Sequence, residues 1–263
     1  MVISDIIAFL EKKYPPELAA DFDAERIGHV IGSGDIELAN ILLALDLTID
    51  VANEAVARGA NLIITHHPII FTPLNKILYT TPKGKIIKRL CQHDLSVYVM
   101  HTNLDAAEGG VNDVLSVRLG LQNARIAGGC PVKDKLMRVG EIEPTTLGEF
   151  AKIVRARFEL PAVKVVGEEK KVIRKVGIIG GSGATEETIN QALVEGADCF
   201  VTGEIKLHIA QLASACDLAL IDVGHGIERM VLPAVKDEIE NGLGLTGRVF
   251  VSEINTDPLS YSF

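Results

Sequence analysis

Apolar and polar positions alternate along the chain with two periods, one of helices and one of buried strands. Ile3, Ile6, Ile7 and Leu10 recur at helical spacing, Ser4 offers an N-cap, and Pro15-Pro16 stops the run. This predicts an amphipathic helix over Ile3 to Tyr14. Ala19 to Gly34, with Gly28, Gly32 and Gly34 among charges, reads as an irregular stretch or short strand. Within Ala60 to Thr65, Leu62, Ile63 and Ile64 form a run too short and too β-branched for a helix, the pattern of a strand buried on both faces, and Asn40 to Leu47 reads as another buried strand. Between them Val51 to Arg58 is helical, capped by Thr48 or Asp50 and ended at Gly59. A right-handed crossover makes the two strands parallel. A loop over Phe71 to Pro82 precedes a helix at Lys85 to His93, a buried strand at Ser96 to Met100 and a helix at Asn112 to Leu119.

The second half repeats the plan. Lys175 to Gly180 reads as a strand, Thr185 to Glu195 as a helix, and Gly196-Ala197-Asp198-Cys199-Phe200-Val201-Thr202 matches Gly59-Ala60-Asn61-Leu62-Ile63-Ile64-Thr65 position by position in residue type. Asp94-Leu95 leads to His101 as Asp217-Leu218 leads to His225, and an acid follows each histidine, Asp105 and Glu228. Four correspondences in one order indicate a duplicated strand-helix-strand module. The duplication is unequal, because Gly203 stands where the first module has His66. Between the halves, short strand-like runs at Leu136 to Ile142 and Val163 to Val166 flank a helix over Leu147 to Phe158 that Thr145 or Thr146 caps. Val249-Phe250-Val251 is a closing strand expected to return to the first lobe. The expected architecture is α/β: two similar lobes with mixed, mostly parallel sheets and a metal cleft between them. The first lobe spans residues 1–122 completed by 234–263, and the second 123–233.

Composition narrows the chemistry. The chain has 263 residues, 48% of them hydrophobic, 24 glycines and no tryptophan, suiting an α/β protein with many tight turns. Lys+Arg 26 against Asp+Glu 35 gives a net charge of −9, and no basic run stands out, which argues against a nucleic-acid partner. Cys91, Cys130, Cys199 and Cys216 lack Cys-x-x-Cys spacing and read as reduced core residues. No secretory leader pattern opens the chain and no apolar run is long enough to span a bilayer, so a cytoplasmic protein without a membrane partner is expected.

The candidate chemistry sits where strands stop. Thr65-His66-His67-Pro68 ends a buried strand, because proline cannot extend the hydrogen-bond ladder. Ligands of open α/β sheets bind beyond the carboxyl ends of parallel strands. Side chains of consecutive residues in an extended chain diverge, which suits two neighbouring ions. His66, His67, Asp105, His225 and Glu228 are the candidate ligands, with His225 and Glu228 three apart and on one face if the chain from Gly226 is helical. Imidazoles and carboxylates without thiolate fit catalytic Zn, Mn, Fe or Co better than a closed structural zinc, and five such residues suit two divalent ions. His101 is a ligand, an orienting partner or a packed residue, with the orienting role preferred. His208 is a candidate proton carrier or substrate contact, or simply a surface helix residue. His29 and His93 are read as structural, and Gly180-Gly181-Ser182-Gly183 is a weak candidate phosphate turn.

Thr65-His66-His67-Pro68, His101-Thr102-Asn103-Leu104-Asp105, Thr202-Gly203-Glu204 with His208, and Gly224-His225 with Glu228-Arg229 resemble, in order, the motifs of the Nif-three-like dinuclear metal-centre proteins. These are often labelled GTP cyclohydrolase 1 type 2 homologues, and the resemblance spans nearly the whole chain. It implies two ions held by His66, His67, Asp105, His225 and Glu228, and a toroidal homohexamer. The family usually separates the late histidine and glutamate by three residues, whereas here only Gly226 and Ile227 intervene. The chain also lacks the domain that longer relatives carry inserted in mid-sequence. The expected function is metal-dependent hydrolysis of a small nucleotide-like substrate, with His101 or His208 moving protons. The alternative is a non-catalytic, metal-stabilised interaction or regulatory protein.

Overall fold

The apolar stripe at the start of the chain becomes α1 (Ile3–Lys13), which buries Ile3, Ile6, Ile7 and Leu10 in a computed structural model that describes residues 1–128 and 135–260. The helix begins two residues earlier than Ser4 as N-cap would require. Instead, the Asp5 carboxylate reaches back to accept the Val2 N–H at 2.8 Å. The stretch Gly28–Ile31 is a strand (β1), followed by β2 (Asn40–Ala44), α2 (Ile49–Ala57) and β3 (Ala60–Thr65). Thr48 caps α2 by accepting the Val51 N–H. Next, α3 (Pro82–Gln92) starts earlier than its apolar pattern suggests, because Thr81 caps it and Pro82 suits a first helical turn. Then come β4 (Ser96–Val99) and a short helix, α4 (Thr102–Ala106), which the sequence pattern does not announce.

Further along lie α5 (Val111–Leu119), the exposed strand β5 (Gln122–Ile126), β6 (Arg138–Thr146), α6 (Leu147–Arg157) and β7 (Lys164–Val166). The strand-helix pattern resumes with β8 (Val172–Ile178), α7 (Glu186–Val194), β9 (Cys199–Thr202), α8 (Leu207–Ala215) and β10 (Ala219–Asp222). A 3₁₀ turn over His225–Val231 leads into α9 (Leu232–Leu243), and β11 (Val249–Val251) closes the chain. The sequence reading assigns no helix to α9, although Leu232, Val235 and Ile239 form its buried stripe.

The chain divides into two units. The first, Met1–Glu108 with Val231–Pro258, is built on a five-stranded sheet of order β1-β4-β3-β2-β11. Only β1 runs antiparallel to its neighbour. Leu42, Val51, Ala55, Ile63, Leu90, Val97 and Val99 form a core on it, and Lys13 on α1 pairs with Glu238 on α9 at 3.1 Å. The second unit, centred on Gly109–Met230, has a six-stranded sheet of order β5-β6-β8-β9-β10-β7. Here only the β8-β9 and β9-β10 pairings are parallel, so the mostly parallel character expected of both sheets holds for the first alone. Its core gathers Met137, Val139, Ile189, Phe200, Ile209 and Leu220, and the buried Arg138 pairs with Asp113. Each unit contains a β-α-β-α-β run whose three strands are parallel neighbours, β2-β3-β4 and β8-β9-β10.

The cysteine expectation needs correction: Cys199 is buried, and burial pushes its thiol well above the ordinary range, but Cys91 and Cys216 are exposed. Cys130 lies outside the described residues. No helix among the described residues is long and apolar enough to cross a membrane.

Candidate metal centre

In the first unit the carboxyl ends of three adjacent parallel strands each deliver a polar side chain: Asp46 beyond β2, His66 and His67 beyond β3, His101 beyond β4. The ladder between β3 and β2 runs on past Thr65, with the His66 N–H donating to Ala44 O at 3.2 Å and the His67 N–H to Leu45 O at 2.9 Å. Beyond that point Pro68 has no N–H to give. The backbone bends there, so the two rings do not diverge as an extended chain would make them. Their centroids lie 5.0 Å apart, and His101 completes a triangle at 5.2 Å from His66 and 5.7 Å from His67. One nitrogen from each ring falls within 4.8 Å of the others.

Every ring in this group is held through Nδ1. His66 Nδ1–H donates to Met100 O at 2.9 Å, and since a carbonyl only accepts, the neutral ring carries its lone pair on Nε2. His67 Nδ1 meets Asp46 Oδ1 at 2.7 Å, and Thr256 Oγ1–H donates to the other Asp46 oxygen at 2.5 Å. His101 Nδ1 lies 2.9 Å from Oδ2 of Asp23, a fully buried carboxylate that also accepts the Thr102 N–H and hydroxyl. Burial pushes the Asp23 carboxyl up, but the contact with His101 and the bonds from Thr102 outweigh it and hold the group below the usual carboxylate range. Asp105, buried on α4, sets Oδ1 3.6 Å from His66 Nε2.

The second unit carries the remaining candidates at the corresponding strand ends. His225 follows β10 and Glu228 lies three residues on in the 3₁₀ turn, where residues i and i+3 eclipse. The tighter helix therefore absorbs the shortened spacing, and His225 Nε2 meets Glu228 Oε2 at 3.2 Å. On the other side of the ring, Nδ1 lies 3.2 Å from Glu204 Oε1. The glycine turn after β8 serves this pair. A Cβ on Gly181 would lie 2.2 Å from Glu228 Oε1, one on Gly203 would lie 2.7 Å from the Gly181 and Gly224 carbonyls, and the Gly180 N–H donates to the buried Asn112. The glycines thus make room for a carboxylate and for backbone packing, and the phosphate reading of this turn loses an amide it would need. His208 stands exposed on the first turn of α8, and His29 and His93 are exposed away from the strand ends.

This donor set fits a divalent cation. In both units an imidazole whose Nδ1 faces an acceptor turns Nε2 toward a buried carboxylate oxygen, His66 to Asp105 and His225 to Glu228. A lone pair facing an anion calls for a positive charge between or beside them, and acceptors behind the ring are what histidine ligands use to fix tautomer and orientation. Two of the acceptors, Asp23 and Asp46, are absent from the sequence reading, and Glu204 enters it only as part of the Thr202-Gly203-Glu204 motif. Asp46 stands two residues past the end of β2, whereas the expected strand ran through it to Leu47.

Comparison with known proteins places the chain among relatives. It matches the Duf34/NIF3 (NGG1p interacting factor 3) family over residues 1–258. A protein of Clostridium acetobutylicum named GTP cyclohydrolase 1 type 2 homolog is 33% identical, covering 98% of each chain. A relative of the same name from Staphylococcus aureus is 30% identical in an alignment of 370 positions covering 99% of this chain, so it carries additional sequence. Among solved structures, a Bacillus cereus protein related to NIF3 superposes with a TM-score of 0.92 at 27% identity, over 100% of this chain and 99% of that one.

Proposed function

Since the chain belongs to the Duf34/NIF3 family, we propose that it is a dinuclear metal protein acting as a hydrolase on a small nucleotide-like substrate. The ligands in this reading are His66, His67 and Asp105 of the first unit and His225 and Glu228 of the second, holding two divalent ions from among Zn, Mn, Fe and Co. What carries it is the repeated arrangement of an imidazole backed by an acceptor at Nδ1 and aimed by Nε2 at a carboxylate. The matching β-α-β-α-β runs support reading the two units as copies of one module.

When bound, two such ions supply Lewis acidity and lower the pKa of water, the usual basis of metal-assisted hydrolysis. The chain's own residues then have defined tasks. Asp46, Asp23 and the Met100 carbonyl keep the imidazoles of the first unit in one tautomer and orientation. His101, part-buried with Asp23 behind it, is the proton carrier at Nε2, as an imidazole backed by a carboxylate is suited to be. His208, exposed on α8, is assigned to the substrate. The names of the curated relatives point to a nucleotide, and a purine nucleoside triphosphate is the first substrate to try.

The family description names an interacting factor, which favours a second reading: a protein whose ions stabilise the fold and which acts by binding a partner. In both readings the protein is cytoplasmic and assembles as a homohexamer. One screen separates the two. Metal-loaded protein is offered GTP, cyclic nucleotides and phosphoesters, alongside Asp105→Ala. Turnover lost in a folded Asp105→Ala variant supports the hydrolase. Absence of turnover throughout, with a melting temperature that rises with metal, supports the second reading. Failure of Zn or Mn to bind, or binding undiminished by the double change His66→Ala and His67→Ala, overturns both.

A further inference from the structure

Glu204 has a backbone conformation that its residue type does not favour. Its φ is +55°, in the left-handed region, and it follows a strand, not a helix. Asp94, Glu159 and Asp217 share positive φ but stand just after helices, where such a residue ends the helix, and Asn123 lies at an irregularity in β5. Glycine or asparagine adopts this conformation at least cost, so a glutamate here is a candidate for strain kept for a purpose.

The turn is held from beneath by Asp222. This buried carboxylate at the end of β10 accepts the N–H groups of Glu204 at 3.2 Å, Ile205 at 3.3 Å and Gly224 at 3.0 Å, and Lys164 approaches it at 3.2 Å. Gly203, just before, packs its backbone against the Gly181 and Gly224 carbonyls, with its N–H donating to Gly181 O at 2.9 Å. The loop after β9 is thus tied to the loop that begins with Gly224 and carries His225. From this turn the Glu204 carboxylate reaches His225 Nδ1 at 3.2 Å, while Nε2 on the far side of the ring meets Glu228. His66, His67 and His101 each have an acceptor at the same ring position, and Glu204 supplies the fourth.

We propose that Glu204 is the positioning residue of His225: held in a strained turn by Asp222, it keeps the proton on Nδ1 and turns Nε2 toward Glu228. In its effect on metal binding this rests on the reading of His225 as a ligand. In its effect on the ring it does not.

Two measurements test it. On metal-free protein with ¹⁵N-labelled histidine and the change Glu228→Ala, which removes the carboxylate that competes at Nε2, the ring shifts of His225, assigned with His225→Gln, report the tautomer. With Glu204 in place this protein is expected to show the Nδ1–H form, Glu204→Gln to keep it through the amide oxygen, and Glu204→Ala to show a mixture of both forms. In a competition titration with a chromophoric zinc chelator, Glu204→Ala is expected to bind Zn about 10- to 100-fold more weakly than wild type, the usual cost of losing a partner behind a ligating histidine. Glu204→Gly is expected to bind as weakly as Glu204→Ala and yet melt higher, because glycine relieves the positive φ. An unchanged His225 tautomer in Glu204→Ala overturns the proposal, as does wild-type zinc affinity in that variant when His225→Gln has lost it. If His225→Gln binds zinc like wild type, the ligand reading fails and the tautomer measurement alone decides the role of Glu204.

Discussion

Removing the Asp23 carboxylate tests whether the first unit's strand-end cluster is braced as described. Asp23 is fully buried and its Oδ2 takes the Thr102 N–H at 3.1 Å, the Thr102 hydroxyl at 2.8 Å and the His101 ring at 2.9 Å. Thr102 is 5% exposed, so water cannot replace the carboxylate at its two donors. Each buried donor left without an acceptor costs roughly 1–3 kcal/mol, and His101, partly exposed, adds less. Asp23→Ala should therefore destabilise the protein by about 2–4 kcal/mol. Asp23→Asn retains one acceptor oxygen and should cost about half as much, roughly 1–2 kcal/mol. Urea unfolding in the presence of EDTA, read as the shift in midpoint at unchanged slope, measures this without any contribution from bound metal. A loss below roughly 1 kcal/mol for Asp23→Ala would refute the reasoning, because surface-like effects have that size. Equal losses for the two variants would show that the acceptor oxygen is not what matters.

Three more outcomes follow from other parts of the structure. The hydrogen bonds from Arg125 hold the Glu195 carboxyl below its ordinary value of 4.5, against the upward push of burial, with the Gly128 N–H adding to the effect. Its folded pKa is lowered, so the stability it contributes is complete above pH 4.5 and disappears as pH falls through the folded pKa; melting curves of wild type and Glu195→Gln should differ at pH 7 and converge under acid. Gly84→Ala would put a Cβ 2.0 Å from the backbone oxygen of Leu78, so despite a helix-propensity gain of roughly 1 kcal/mol a net loss of about 1–3 kcal/mol is expected in chemical unfolding, and a more stable variant would contradict the packing of that turn. Light scattering of the metal-loaded protein should give six times the 28.3 kDa of one chain, and a mass near a single chain rules the ring out.

Much of this protein was legible before any coordinates. The buried runs at Asn40, Ala60, Ser96, Lys175 and Cys199 emerge as strands, and the stripes of α1, α2, α6 and α7 as helices, because hydrophobic periodicity is a local property that burial reads directly. The placement of histidines at strand ends was equally local, since a proline or glycine after a β-branched run marks where a ladder stops. Elements without that signal escaped. Strand β5 is exposed along its whole length and has no apolar face to detect, and the stripe of α9 lies behind Pro233, which reads as a break though it occupies a first helical turn.

What the tertiary structure alone decided is how the candidate groups are held. Asp23 stands 79 residues from the Thr102 it binds, and Asp46 stands 21 residues from His67. Among 35 acidic residues nothing local distinguishes these two from those that face solvent. The sequence could specify that His225 and Glu228 are three apart, but whether they meet depended on a 3₁₀ turn, whose three-residue period brings them face to face. A histidine's type and its place at a strand end are fixed by neighbours in the chain. Its tautomer and aim are fixed by acceptors that only the folded chain brings within 3 Å or so, because a hydrogen bond acts over that distance and no further.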